Sequence, residues 1–269
     1  MLLFKVGSKI NYMEKELLPK VAHYDMMADP FRCDFSKHLT VGQLGNALLN
    51  AADFHSDDRE FGMNYLHTIH CTWVLSRLCI ELEAMPRAYD PFFIETWCDS
   101  AMKYFTSRNF KIGSPTGSVY GYGRSIWAMI DTETRQPADI LAIHDGLLTA
   151  YLDRDYPCPI ASPSRVKLGD RLELVRELDT FYSDVDINGH INSVKYIDHV
   201  LDLWPLSWYA SHRLRRIDVA YVAESYQGDR LRLYRQPLSD DGLAFGVSVC
   251  KVREGEEQRE VCRCELHFE

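Results

Sequence analysis

Apolar residues recur every three or four positions along residues 41–55, the spacing of one face of an α-helix. Leu44 and Leu48 belong to this face, and Thr40 precedes it as a candidate N-cap. The pattern then changes to runs rich in β-branched and aromatic residues, with glycine and proline between them. These runs are 68–83, 92–98, 102–112 and 118–131. A buried helix followed by an antiparallel meander is therefore predicted.

The same order of elements returns in the second half of the chain. A strand is predicted at 172–183 and a helix at 192–204. Further strands are predicted at 212–226, 230–236, 243–252 and 259–268. Prolines and serines concentrate at about 151–169, which indicates a linker. The pattern predicts an α+β protein of two similar units, 1–155 and 156–269, each with a buried helix wrapped by an antiparallel sheet.

Composition narrows the class of protein. The chain has 269 residues, 46% hydrophobic and 26% charged, which argues against disordered, collagen-like and coiled-coil classes. A formal net charge of −9 argues against nucleic-acid binding. No apolar run reaches the roughly eighteen residues of a membrane span, and residues 1–16 have too short an apolar block for a signal peptide, so a cytoplasmic location is expected. The 8 cysteines include no CxxC pair, which favours reduced thiols.

The segment before the second predicted helix is dense in polar residues. Asp186, Asn188 and His190 alternate with Val185, Ile187 and Gly189, so an extended or turning backbone would place the three polar side chains on one side. The glycine permits a tight turn, and amides at the helix start (189–192) could stabilise an oxyanion. Two other interpretations stay open: capping residues with a structural histidine, or a metal site at Asp186 and His190, for which no further ligand cluster lies nearby.

Three segments resemble the acyl-acyl-carrier-protein thioesterases of plant plastids and their bacterial relatives. DVDINGHINSVKYIDHVLD (184–202) is similar to that family's D-x-N-x-H-x-N-x-x-K-Y motif. TWVLSR (72–77) and SIWAMIDTETRQPADI (125–140) resemble family segments of the first half, so the likeness spans roughly residues 20–269. It implies two tandem hotdog units and hydrolysis of fatty acyl-carrier-protein thioesters, without a cofactor or metal.

The resemblance also implies site residues. Asp186, Asn188 and His190 match the polar active-site letters of the motif, and IDVAYVAESYQGD (217–229) places Glu224 at the family's catalytic glutamate. Ser225 stands where many plant members have cysteine, which favours attack by water. Attack by serine would require His190 to reach the Ser225 hydroxyl. Either Asp186 or Glu224 would be the carboxylate that activates water with His190.

The first unit has no equivalent motif before its helix and is expected to supply the acyl pocket. Candidate lining residues are Leu44, Leu48, Phe54, Trp73 and Met129. An acidic carrier protein needs a local basic patch, and 212–216 is the densest basic run. Lys195 and Arg77 are alternative contacts for the carrier protein or for the phosphate of its pantetheine arm.

Other functions and assemblies stay open at this stage. A hotdog acyl-CoA thioesterase or dehydratase is one alternative, because this fold hosts several thioester chemistries. A non-catalytic acyl-thioester binding protein is another. Either a monomer or a homodimer is expected. A duplicated chain can satisfy internally the pairing that single units obtain by dimerising, while exposed sheet edges can still support a dimer.

Overall fold

The structure, a computed structural model, describes residues 17–269. The expectation that the first residues hold no signal peptide concerns 1–16 and lies outside the described residues. The helices are α1 Val41–Asp58, α2 Met63–Thr68, α3 Leu147–Ala150, α4 Ser193–Leu201 and α5 Leu206–Tyr209. Short 3₁₀ segments are Pro30–Arg32, Ile140–Gly146 and Tyr182–Asp184. The strands are β1 Ala22–Met27, β2 Cys71–Leu82, β3 Pro91–Ala101, β4 Phe105–Gly113, β5 Val119–Asp131, β6 Glu173–Asp179, β7 Leu214–Tyr221, β8 Arg230–Pro237, β9 Ala244–Val252 and β10 Arg259–Phe268.

One continuous antiparallel sheet connects the two halves. Its order is β1-β3-β4-β5-β2-β7-β10-β9-β8-β6, so each half contributes five neighbouring strands. The halves join through β2 and β7, which pair from Arg77 opposite Ala220 to Glu81 opposite Arg216. Beyond Arg77, towards the start of β2, the two strands are no longer paired. The half-sheets therefore separate at one end of the junction.

Each half-sheet packs against its own helix. Leu44 and Leu48 of α1 and Ile197 and Val200 of α4 are fully buried in one hydrophobic core. Gly42 lets α1 approach α4 closely, since a Cβ there would overlap the carboxylate of Asp198. This arrangement confirms the predicted α+β class with two tandem hotdog units.

The helix starts were predictable, and one helix end was not. Thr40 caps α1 by accepting a hydrogen bond from Gln43 N (3.2 Å), and Asn192 caps α4 by accepting from Val194 N (2.8 Å). The helix predicted to residue 204 ends at Leu201. Proline at 205 disfavours helical backbone in the residue before it, so the chain turns into the separate short helix α5.

The segment predicted as a linker packs on the outer face of the sheet. Cys79 Sγ on β2 donates to Ala161 O (3.6 Å), and Ser164 N donates to Asp218 Oδ1 on β7 (2.7 Å). This segment therefore contacts both halves. The boundary between residues 155 and 156 stays a prediction.

Two sequence-wide expectations can be compared with the described residues. All 8 cysteines lie within 17–269 and none of them forms a disulfide there. Along the same stretch, no helix has the length and apolar character that crossing a membrane requires.

Candidate active site

A tight turn at 186–189 places His190 just before the start of α4. Asp186 N donates to His190 O (2.8 Å) and Gly189 N donates to Asp186 O (3.0 Å), while Gly189 adopts a φ of 79°. Val185 and Ile191 pair as a bridge across the base of this turn. The backbone therefore reverses here, because aspartate and glycine favour a turn over the extended form of the alternating pattern.

Asp186 organises this turn with its side chain. Its Oδ1 accepts hydrogen bonds from Asn188 N (2.8 Å) and His190 N (3.4 Å). The carboxylate thus satisfies two backbone donors that the tight turn leaves unpaired. Asn188 is exposed on the turn, and both residues border the cleft that contains His190.

Glu224 faces His190 across the cleft. Its Oε2 lies 3.6 Å from His190 Nε2 and accepts a hydrogen bond from Tyr226 OH (3.1 Å). Its Oε1 accepts from Arg135 Nη2 (2.5 Å). Burial alone raises the pKa of Glu224, but the Arg135 hydrogen bond, the neighbouring His190 and Tyr226 together hold that pKa below its usual value. Glu224 is therefore a carboxylate at neutral pH.

Arg135 reaches this site from the first half of the chain, and sequence reasoning did not single it out. It lies in the turn after β5 with a φ of 59°, and its N donates to Asp131 O (3.0 Å). Asp131 Oδ1 fixes the same turn by accepting from Glu133 N (3.0 Å) and Thr134 N (2.7 Å). Arg135 falls inside the 125–140 segment that resembled the family, which was the available signal.

Ser225 is part of the core rather than of the cleft. Its side chain is fully buried, and its Oγ is hydrogen-bonded to Tyr196 OH (2.5 Å). Its backbone oxygen accepts from Ile191 N (2.9 Å), which connects the His190 turn to the segment after β7. No contact joins His190 to Ser225 Oγ within residues 17–269. The geometry therefore does not support a serine nucleophile.

The backbone amides expected to stabilise an oxyanion are already engaged. Gly189, His190, Ile191 and Asn192 donate to Asp186 O, Asp186 Oδ1, Ser225 O and Asp184 O respectively. That expectation is corrected, because these donors already hold the turn to its own aspartate, to the 3₁₀ segment Tyr182–Asp184 and to the segment after β7.

A cavity of about 290 Å³ lies beside α1 and adjoins the cleft. Trp73, Leu75, Asp186 and Asn188 border both spaces, so the cleft leads into the cavity. Apolar wall residues are Leu49, Phe61, Met63, Trp127 and Leu148. Polar wall residues include Asn46, Asn50, Asp53 and Arg108.

The predicted lining residues take different places. Trp73 borders the cavity. Leu44 and Leu48 are fully buried in the main core, Met129 is buried in a smaller second core, and Phe54 is 53% exposed. None of these four is among the residues that line the cavity, and their role in binding an acyl chain stays a prediction. The face of α1 with Leu44 and Leu48 packs on the sheet, while another face borders the cavity.

The basic run at 212–216 is neutralised by its own surroundings. His212 stacks on Trp208 (3.8 Å between ring centroids), and Arg213 and Arg215 pair with Glu269 and Glu83. Arg216 pairs with Glu81 and Asp218. Little free charge remains there for an acidic partner, which counts against the expected docking role.

Lys195 and Arg77, the other two predicted contacts for the carrier protein, have different charged neighbours. Lys195 Nζ lies 4.0 Å from Asp198 Oδ2. Arg77 lies on β2 near Arg165 and has no carboxylate within 4.0 Å among the residues that the structure describes. No group of three or more His, Cys, Asp or Glu side chains in that part of the chain could hold a metal ion.

Comparison with known proteins identifies the family. The acyl-ACP thioesterase N-terminal domain model matches residues 21–145, and the C-terminal domain model matches residues 170–266. The chain therefore belongs to the acyl-ACP thioesterase family, as the motifs predicted.

Individual relatives agree with this assignment. A crystal structure of an acyl-ACP thioesterase from Bacteroides thetaiotaomicron is 45% identical, with a TM-score of 0.83, 93% of this chain covered and 98% of that chain. A 12:0-ACP thioesterase from Umbellularia californica shares the fold at 19% identity, with a TM-score of 0.77, 95% of this chain covered and 99% of that chain. The chloroplastic oleoyl-acyl carrier protein thioesterase 2 of Arabidopsis thaliana is 29% identical over 216 residues, 74% of this chain. The chain spans 58% of that relative's length.

Proposed function

We propose that this protein hydrolyses fatty acyl-acyl carrier protein thioesters and releases free fatty acid. The observation that carries the proposal is the His190–Glu224 pair, 3.6 Å apart in a cleft that adjoins a partly apolar cavity. Family membership supports acyl carrier protein as the partner that presents the substrate. The acyl chain would enter the cavity past Trp73, and the thioester would lie between the turn at 186–190 and Glu224.

In the proposed reaction, water attacks the thioester carbonyl carbon. His190 accepts a proton from the water, and the Glu224 carboxylate stabilises the imidazolium that forms. The carbon–sulfur bond then breaks, and the proton returns from His190 to the departing thiolate. Asn188 orients the water or the substrate carbonyl, and Asp186 fixes the turn that presents His190. A thiol is a good leaving group, so one positioned base suffices.

Thiol release from one acyl chain attached to acyl carrier protein or to coenzyme A tests this proposal. We expect hydrolysis that favours the carrier protein. Glu224→Gln and His190→Ala should each lower kcat/KM by about 10²–10⁴-fold, the usual size of a lost acid–base group. Near-wild-type rates in both variants would refute these roles. Preference for coenzyme A would favour the acyl-CoA alternative, and tight acyl binding without hydrolysis would favour a binding protein.

Ser225→Ala is the matched control for this experiment. It removes a hydroxyl next to Glu224 in sequence, but that hydroxyl is buried against Tyr196. We expect activity within about threefold of wild type, with a loss in unfolding free energy of about 1 kcal/mol for the broken hydrogen bond. A loss as large as that of His190→Ala would instead favour a serine nucleophile.

A further inference from the structure

Arg108 is a buried cation in the wall of the cavity beside α1. It lies on β4 opposite Cys98 of β3, is only 4% exposed and borders the cavity. Its Nη2 donates to Ser56 Oγ (2.7 Å) and its Nη1 donates to Thr96 Oγ1 (3.3 Å), and it forms no ion pair within residues 17–269. A guanidinium has five N–H donors, so three of them have no acceptor among those residues. Buried donors are normally paired, which points to an acceptor supplied by a ligand.

The face of α1 that borders the cavity is polar as well. Asn46, Asn50 and Asp53 are four and three residues apart, the spacing of one helix face. None of these side chains forms a hydrogen bond or an ion pair with another residue of the described range 17–269. Ser56 continues this face three residues after Asp53, and its Oγ accepts from Arg108. Asp53 and Arg108 therefore offer an acceptor and several donors to the same part of the cavity.

These groups lie far from the reaction centre along α1. Gly45 lies against Val194 of α4, where a Cβ on the glycine would contact it at 3.4 Å, and Asn192 and Ser193 border the same end of the cavity. Ser56 is eleven residues further along α1, which corresponds to about 16 Å of helix. An extended acyl chain of roughly twelve carbons covers about the same distance. The polar groups are thus placed to meet the distal end of an acyl chain and not its thioester.

We propose that the cavity binds acyl chains with a hydroxyl group at their distal end, with Arg108 donating to the hydroxyl oxygen and Asp53 accepting a hydrogen bond from it. This inference rests on the proposed function. A hydroxyl is both a donor and an acceptor, so it satisfies both side chains at once. A methyl end would leave the guanidinium unpaired, and a carboxylate end would meet the negative charge of Asp53.

Matched thioesters of acyl carrier protein test this assignment. At each even chain length from ten to sixteen carbons, the acyl chain ends in a methyl group, a hydroxyl group or a carboxylate, and thiol release gives kcat/KM. In the wild-type protein the hydroxyl should raise kcat/KM about tenfold over the methyl at the length where this ratio is largest, mainly by lowering KM. The carboxylate should be hydrolysed more slowly than the hydroxyl.

Two variants of the wall should change this preference. Arg108→Met should bring the hydroxyl-to-methyl ratio to about one or below, because methionine offers no donor. The ratio within one variant cancels any change in the fraction of folded protein. Asp53→Ala leaves the buried side chains in place, since Asp53 is exposed. It should also lower the ratio, and it should raise the rate with the carboxylate end because the repelling charge is gone.

Arg59→Met is the matched control. Arg59 is also 4% exposed and donates to His55 O of α1 (3.0 Å), but it is not among the residues that line the cavity. The tenfold ratio should persist in this variant. An equal fall of the ratio in Arg59→Met and Arg108→Met would overturn the site, because loss of a buried arginine rather than of a contact with the chain would then be the cause.

The remaining outcomes separate this inference from the proposed function. A wild-type ratio near one at every length, with hydrolysis intact, would show that water satisfies Arg108, and would overturn the hydroxyl site while the proposed function stands. An equal gain from a hydroxyl on the third carbon, beside the thioester, would overturn the distal placement. A preference for the carboxylate over the hydroxyl would overturn the assignment of a neutral group. Absence of hydrolysis with every substrate would refute the proposed function itself.

Discussion

The ionisation of Glu224 depends on a residue from the other half of the chain. Arg135 approaches Glu224 Oε1 to 2.5 Å and counteracts the effect of burial on the carboxyl pKa. Arg135→Ala should therefore raise the pKa of Glu224. Because the carboxylate is the form that supports His190, the acid limb of the kcat/KM profile should move to higher pH, and activity should fall more at pH 6 than at pH 8.

The control for this change is Arg135→Lys, which keeps a positive charge but loses the planar guanidinium. Its acid limb should lie between those of wild type and Arg135→Ala. A purely structural role for Arg135 would lower activity equally at all pH values. An acid limb that does not move in Arg135→Ala would therefore contradict the role of Arg135 in keeping Glu224 ionised.

At the scale of single elements, the C-terminal part of α1 carries a buried titratable group. His55 is fully buried, and its Nε2 donates to Lys20 O (3.0 Å). Burial, with the charges of Arg108 and Arg59, lowers the pKa of His55 to about 2. In the unfolded chain the same imidazole has a pKa of about 6.5. Protons therefore bind the unfolded state preferentially between these values, and stability falls as the pH falls below about 6.5.

His55→Gln isolates this contribution, because glutamine keeps an N–H for Lys20 O and does not titrate. Between pH 7.5 and pH 5 the wild type should lose about 2 kcal/mol more unfolding free energy than the variant. Urea unfolding at both pH values measures the difference, and effects of other groups cancel because both proteins contain them. Equal pH dependence would show that His55 binds a proton as readily in the folded protein as in the unfolded chain, which would contradict the lowered pKa.

The elements themselves were largely predictable, whereas their long-range contacts were not. Thr40 could be identified as a cap because capping depends on residues two or three positions away. The contact between Arg135 and Glu224 joins residues 89 positions apart, and no local periodicity encodes it. The turn at 186–189 was one of two backbone forms left open, since an alternating pattern fits both a strand and a turn. The pattern could not show that the turn engages its own amides.

At the scale of the whole molecule, Arg216 connects both half-sheets and the segment between them. On β7 its Nε donates to Asp218 Oδ2 (2.6 Å), and its Nη1 donates to Glu81 Oε2 across the junction with β2 (2.7 Å). Its Nη2 also donates to Ala161 O (3.3 Å). Asp218 is only 2% exposed, and this guanidinium is the cationic partner of its carboxylate. The junction of the duplicated fold thus contains a nearly buried ion pair.

Removing one partner of such a pair leaves the other charge buried without compensation. Arg216→Met should lower the unfolding free energy by about 3–5 kcal/mol in urea titrations. Arg216→Met combined with Asp218→Asn should recover part of this loss, because a neutral amide then replaces the buried carboxylate that has lost its partner. Arg230→Met is the control: Arg230 pairs with Asp179 with its side chain 55% exposed, and its loss should cost below about 1 kcal/mol. A loss in Arg216→Met as small as that in Arg230→Met would contradict the stabilising role of the buried pair.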